Sequence, residues 1–202
     1  MRFRLGLTGS IGMGKSTTAR MFADESCAVW DADAAVHRLY APGGAAVEPM
    51  REIFPDAVEN GSVSRDRLRK IIARDPSALP RIEALVHPLV RKDRERFAAE
   101  RPGKIGVFDI PLLYETGAEA EMDAVACAPG GACVHVGAEI QRARVLARGT
   151  MSAADLDRIL SRQMPNEDKC ARADYVIETD TLDHARAQVV AIVRDIRGKT
   201  DA

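Results

Sequence analysis

Gly9-Ser10-Ile11-Gly12-Met13-Gly14-Lys15-Ser16 is the stretch that decides the fold of this chain. It fits G-x-x-x-x-G-K-[ST], and its surroundings fit too. Before it, Phe3 to Leu7 is a mostly apolar run that reads as a buried strand; after it, a helix is expected from Lys15 to about Asp24. A glycine turn between strand and helix lets backbone N–H groups converge on phosphate oxygens where a β-carbon would clash, and it points the positive helix end at them. Gly9, Ile11, Gly12, Met13 and Gly14 form that cradle, continued by Lys15, Ser16 and Thr17 at the helix start. Lys15 is expected to reach the β- and γ-phosphates of ATP, and the Ser16 hydroxyl to ligate Mg²⁺.

Outward from this loop the chain alternates. Residues 27 to 30 read as a second strand, followed by Asp31-Ala32-Asp33 and a helix to about Tyr40. From Pro42-Gly43-Gly44 to Arg101 the signals are helical: Val47 to Phe54, Ser64 to Arg74 and Leu79 to Glu100, with a kink or boundary expected at Pro88. Strands then return at 104 to 109, within 122 to 136 and at 175 to 177. Helices are expected at 139 to 148, 152 to 164 and along a Leu182, Ala185, Val189, Ile192, Ile196 stripe ending at Gly198. This is an α/β pattern: a P-loop NTPase fold, with a parallel sheet flanked by helices. The core is expected over 1 to 41 and 102 to 202, with a helical lid near 149 to 166 and a helical acceptor-binding insertion over 42 to 101.

Length and composition agree with one domain plus appendages: 202 residues, 46% hydrophobic and 29% charged. No stretch approaches the ~18 apolar residues of a membrane span, and the N-terminus turns to glycine before a signal-peptide core can form, so a cytosolic protein without membrane partners is expected. The four cysteines form no C-x-x-C pair, which favours reduced structural thiols over zinc or disulfides. A net charge of −1 argues against a nucleic-acid partner. That average conceals a local surplus: Ser64 to Arg101 holds eleven basic and six acidic residues. Two readings stay open there, a landing surface for an anion or a solvated helical face whose charges pair among themselves.

A phosphate loop specifies a nucleotide and not a reaction. Asn166-Glu167-Asp168-Lys169 has the letters of a guanine-reading motif in the wrong order, and no transporter signature occurs. The proportions suit a small-molecule kinase. An attacking alcohol needs a proton acceptor, and Asp31 and Asp33 follow the second strand, where extended backbone puts both on one side. Asp33 is the expected base, with Asp31 as support or as a helix cap. Asp109 ends an apolar strand as a metal-holding acid does. Arg144 and Arg148 before Gly149, and Arg158 and Arg162 after it, share helical spacing that suits closure over ATP. Rival readings are another nucleoside or nucleotide kinase, and an ATP-binding regulatory module without transfer activity.

Taken together, the glycine loop from Leu7 to Ser16, Asp31-Ala32-Asp33, Arg65, His87-Pro88, Pro111-Leu112-Leu113-Tyr114-Glu115, Gln141 with Arg142 and Arg148, Gln163, and Ala173-Asp174-Tyr175-Val176-Ile177 resemble the dephospho-CoA kinase family over nearly the whole chain. The resemblance implies phosphorylation of the ribose 3′-hydroxyl of dephospho-CoA, with ATP and Mg²⁺, by a monomer or weak homo-oligomer. It gives Asp33 the place of catalytic base and Arg148 that of the lid arginine, beside Lys15. Ser16 and Asp109 would hold the metal, and Thr8, Asp33, Arg65, His87, Leu113 and Glu115 the acceptor. The chain departs from the family at Ala128-Pro129-Gly130-Gly131-Ala132, which leaves either Ala124 to Cys127 or Cys133 to Val136 as the core strand.

Overall fold

The structure, a computed structural model, describes residues 1–10, 14–128, 142, 146–147, 153–161 and 163–201. In chain order its elements are β1 (Phe3–Thr8), α1 (Lys15–Asp24), β2 (Ala28–Asp31), α2 (Ala32–Tyr40), α3 (Val47–Ile53), β3 (Val58–Glu59), β4 (Ser62–Val63), α4 (Arg65–Arg74) and α5 (Ala78–Ala99). These are followed by β5 (Ile105–Asp109), β6 (Ala124–Cys127), α6 (Ala153–Leu160), α7 (Asn166–Arg172), β7 (Tyr175–Val176) and α8 (Leu182–Asp201). The chain forms two compact units, residues 1–30 with 101–202, and residues 31–100.

The first unit is built on a five-stranded sheet in the order β2-β5-β1-β6-β7. β1 pairs in parallel with β5 on one side, Leu7 facing Asp109, and with β6 on the other, Thr8 facing Cys127; β6 pairs in parallel with β7. The core strand of the 124 to 136 region is therefore Ala124–Cys127, whereas Cys133 to Val136 lies outside the described residues. Strands covered on both faces must be apolar throughout, and Leu5, Leu7, Val107 and Ala126 are almost wholly buried. Phe22 of α1 and Val189, Val193 and Ile196 of α8 complete that core.

The second unit has its own core, drawn from Leu39 and Tyr40 of α2, Val47 and Met50 of α3, Leu68 of α4 and Ile82 and Val86 of α5. The Ser64 side chain caps α4 by accepting from the Arg67 N–H. Several arginines of the basic stretch are paired with carboxylates: Arg67 with Glu59, Arg69 with Asp66, Arg91 with Glu95, and Arg96 with the buried Asp93, which Arg38 also meets.

Four local features differ from the sequence reading. α5 runs through Pro88 without a boundary. A helix-interior proline costs about 3 kcal/mol, and burial of Ile82 and Val86 before it and of Ala98 after it holds the 22-residue helix together. A small hairpin, β3 and β4, interrupts the helical stretch at Asn60-Gly61, both with positive φ, the pairing that two-residue hairpin turns require. α8 continues past Gly198 to Asp201, and its buried stripe includes Val193 but not Leu182, which is 67% exposed. The stretch read as one helix to Met164 contains α6, ending at Leu160, and the separate helix α7 follows Pro165.

At the end of β1, Gly9 approaches the neighbouring strand closely. A β-carbon there would stand 2.5 Å from the Ala128 carbonyl oxygen. Gly9→Ala should lower the unfolding free energy by more than about 1 kcal/mol in a urea titration, since backbone and not a flexible side chain has to yield. An unchanged midpoint would show that this approach is not tight.

Candidate active site

The carboxyl ends of β1 and β5 meet at a buried ion pair. Lys15, in the first turn of α1, donates through Nζ to Oδ1 of Asp109, the last residue of β5, which is only 2% exposed. Parallel pairing of the two strands brings their ends level, so the lysine that follows one strand reaches the carboxylate that closes the other. Gly14, with φ +89°, forms the left-handed corner that turns the chain into α1, and the N–H groups of Thr17 and Thr18 donate back to its carbonyl. Thr18 is buried, with its hydroxyl on the same carbonyl, whereas Ser16 and Thr17 are exposed in the first turn. Asp109 and Ser16 are both oxygen donors, the type that Mg²⁺ requires. Ile11, Gly12 and Met13 lie outside the described residues.

Beyond β5 the chain turns through Pro111-Leu112-Leu113-Tyr114-Glu115 along the same sheet edge. Thr8, fully buried, donates its hydroxyl to the Pro111 carbonyl at 3.4 Å. Leu113 is fully buried and packs over Gly6 of β1, where a β-carbon would come within 3.0 Å of it. Glu115 accepts at Oε1 from the Met164 N–H at 2.7 Å and pairs with Lys169 Nζ at 2.9 Å. Burial pushes the Tyr114 hydroxyl up to about 12. The Arg172 guanidinium lies 4.2 Å from the Tyr114 ring centroid and pairs with Glu119.

α7 stands behind this edge, and the sequence reading left it unassigned. Asn166, Lys169 and Arg172 are spaced three apart along it, so they share one side. Asn166 accepts from both the N–H and the hydroxyl of Ser10 at 3.3 Å. Lys169 donates to the Pro111 carbonyl at 2.8 Å. Cys170 meets Cys127 of β6, sulfur to sulfur, at 2.7 Å. That hydrogen bond, with burial, pushes the Cys127 thiol well up, and it draws Cys170 down, assisted by the Lys169 charge. The signals for α7 were present: Pro165 ahead of it, Glu167 and Asp168 in its first turn, Lys169 and Arg172 in its last.

Asp31 and Asp33 do not share an extended segment. Asp31 ends the strand and caps α2, its Oδ1 accepting from the Ala34 N–H at 2.8 Å. A capping aspartate starts the helix at once, so Asp33 falls in the first turn of α2, exposed, and not two residues along a strand. Arg65 begins α4 and His87 lies within α5, both exposed on the second unit. Arg148, with Arg144, Gln141 and Arg162, lies outside the described residues. Arg142 is described and pairs with Asp157 of α6.

Comparison with known proteins accounts for this combination of parts. The family model for dephospho-CoA kinase matches residues 3–184. A Ruegeria pomeroyi protein named dephospho-CoA kinase is 67% identical over 197 residues, covering 98% of this chain and 97% of its own. One of the same name from Cereibacter sphaeroides is 58% identical over 200 residues, covering 99% and 98%. Among solved structures, TT1252 from Thermus thermophilus superposes with a TM-score of 0.81 at 29% identity, covering 96% of each chain. The dephospho-CoA kinase of Campylobacter jejuni shares the fold with a TM-score of 0.62 at 21% identity, again over 96% of each. On the match of the family model and of near-full-length relatives, the chain belongs to the dephospho-CoA kinase family.

Proposed function

We propose that this chain transfers the γ-phosphoryl group of ATP to the ribose 3′-hydroxyl of dephospho-CoA, giving coenzyme A and ADP. The observation that carries this reading is the buried Lys15 and Asp109 pair, set where the glycine loop and the Pro111–Glu115 edge leave adjacent strands. A nucleotide held at one strand end and an acceptor held at the next have their reacting groups side by side. Membership of the family supplies the identity of the acceptor.

Lys15 provides positive charge for the β- and γ-phosphates, and the residues of the glycine loop are their binding place. Ser16 and Asp109 are the residues that would hold Mg²⁺, which when bound neutralises charge on the β- and γ-phosphate oxygens. Asp33, solvated in the first turn of α2, is the general base that takes the 3′-hydroxyl proton as the oxygen attacks phosphorus. Thr8, Arg65, His87, Leu113 and Glu115 are the residues that bind the acceptor. Arg148 acts from the lid, balancing charge on the transferring group. A cytosolic chain, monomeric or weakly self-associating, with these two small molecules as its partners, goes with this reading; no helix among the described residues is long and apolar enough to cross a membrane.

Purified protein with Mg-ATP should form one ADP per dephospho-CoA consumed, and a chain that phosphorylates nucleosides better than dephospho-CoA would belong to a different kinase activity. Asp33→Asn should lower kcat by about 10²–10⁴ with the fold intact by circular dichroism, the usual range for losing a general base. Wild-type turnover in that variant would remove Asp33 from the proton transfer. Chelation of divalent cations should abolish turnover and added Mg²⁺ restore it, while Ser16→Ala should raise the Mg²⁺ concentration needed for half-maximal rate. A rate indifferent to chelation would contradict the metal role given to Ser16 and Asp109.

A further inference from the structure

Lys169 is a charged side chain with no exposed surface at all. Taking an ammonium out of water costs several kcal/mol, and a short helix packed on a sheet edge is more cheaply built with leucine or methionine at that position. The charge is kept because of what it holds. Its Nζ reaches the Pro111 carbonyl at 2.8 Å and Glu115 Oε1 at 2.9 Å, so a single ammonium grips both ends of the Pro111–Glu115 turn. Glu115 Oε1 also takes the Met164 N–H, which leaves its other oxygen, Oε2, buried and without a hydrogen-bond partner. Buried side-chain polar atoms without a partner among the described residues cluster here: Tyr114 OH, Glu115 Oε2, Glu119 Oε2 and Gln163 Oε1. Burying an acceptor with nothing donating to it costs about 1–3 kcal/mol, and two of these atoms, Tyr114 OH and Glu115 Oε2, belong to the Pro111–Glu115 turn, which marks it as a place suited to a hydrogen-bonding ligand.

We propose that Lys169 is the positioning residue of the acceptor edge: it fixes Glu115 through one carboxylate oxygen and holds the other ready for a hydroxyl or amino donor of the acceptor. The proposal rests on the reading of this edge as the acceptor's place. Lys169 touches no reacting atom. It acts through Glu115 and the Pro111 carbonyl, and the Asn166 and Arg172 contacts fix the helix that carries it. The same helix reaches the start of the glycine loop through Asn166 and Ser10, a contact separate from those of Lys169, so loss of the Lys169 side chain alone acts on the Pro111–Glu115 turn.

The test is steady-state kinetics on the full chain, with both KM values and the melting temperature recorded. Wild-type turnover of dephospho-CoA is measured first, and its absence would overturn the activity and this proposal together. Given turnover, Lys169→Met should raise the KM for dephospho-CoA about tenfold or more while leaving the KM for ATP within about twofold, the size of loss expected when a buried hydrogen-bonded acceptor is set adrift. Lys169→Arg, which keeps the charge and donors, should recover most of the loss. Glu115→Gln should raise the same KM, and the double variant Glu115→Gln with Lys169→Met should be little worse than the poorer single one, because the two act as a unit. Should Lys169→Met fail to fold, Lys169→Gln, whose amide still donates to the Pro111 carbonyl, takes its place. Equal changes in the two KM values, an unchanged dephospho-CoA KM, or multiplying effects in the double variant would each overturn the positioning role.

Discussion

A carboxylate at the buried end of a parallel strand has to meet a cation, and Asp109 meets Lys15. Much of the first unit follows from that requirement. Asp109 is in place because β5 pairs in register with β1, Leu7 facing Asp109, and Lys15 is in place because the glycine loop returns the chain to α1 at the same sheet end. Removing Lys15 would take from the nearly fully buried Asp109 the cation it faces, and breaking a buried pair from one side is destabilising. The pair is thus a structural fastening at the sheet end, and under the proposed function it is also the place where ATP phosphates would compete for the ammonium that fastens the strands.

A second fastening lies behind it. α7 has only seven residues, too few to be stable alone, and tertiary contacts supply what local propensity does not. Asn166 binds Ser10, Lys169 binds Pro111 and Glu115, Cys170 touches Cys127, and Arg172 covers Tyr114. One short helix therefore ties the start of the glycine loop, the turn after β5 and the end of β6 into a single edge. Charge enters the second unit differently. Several of its arginines lie on exposed helix surfaces in pairs with neighbouring carboxylates, worth at most about 1 kcal/mol each.

What could be read in the sequence was whatever a local pattern encodes. The strand, glycine loop and α1 follow from apolar run, motif and helix onset within twenty residues, and the observed bounds of α1 and β5 agree with them to within a residue or so. Asp109 was legible because an acid ends an apolar strand. Asp33 was misplaced geometrically because the turn from strand to helix occurs at Asp31, whose capping bond depends on side-chain geometry that period-2 counting ignores. The place of Lys169 was not legible because a buried lysine looks like any surface lysine until its partners, 54 and 58 residues earlier in the chain, are known. The contact between Cys127 and Cys170 was hidden for the same reason: pairs far apart in sequence leave no spacing signature.

The central claim is that phosphate is delivered to one hydroxyl of one acceptor. Proton–phosphorus correlation NMR of the product formed from dephospho-CoA and Mg-ATP tests this most directly. The account predicts a new phosphomonoester coupled to the ribose 3′ proton, with the 2′ position unmodified. Coupling to the 2′ proton, or ADP released with the ribose untouched, would contradict it.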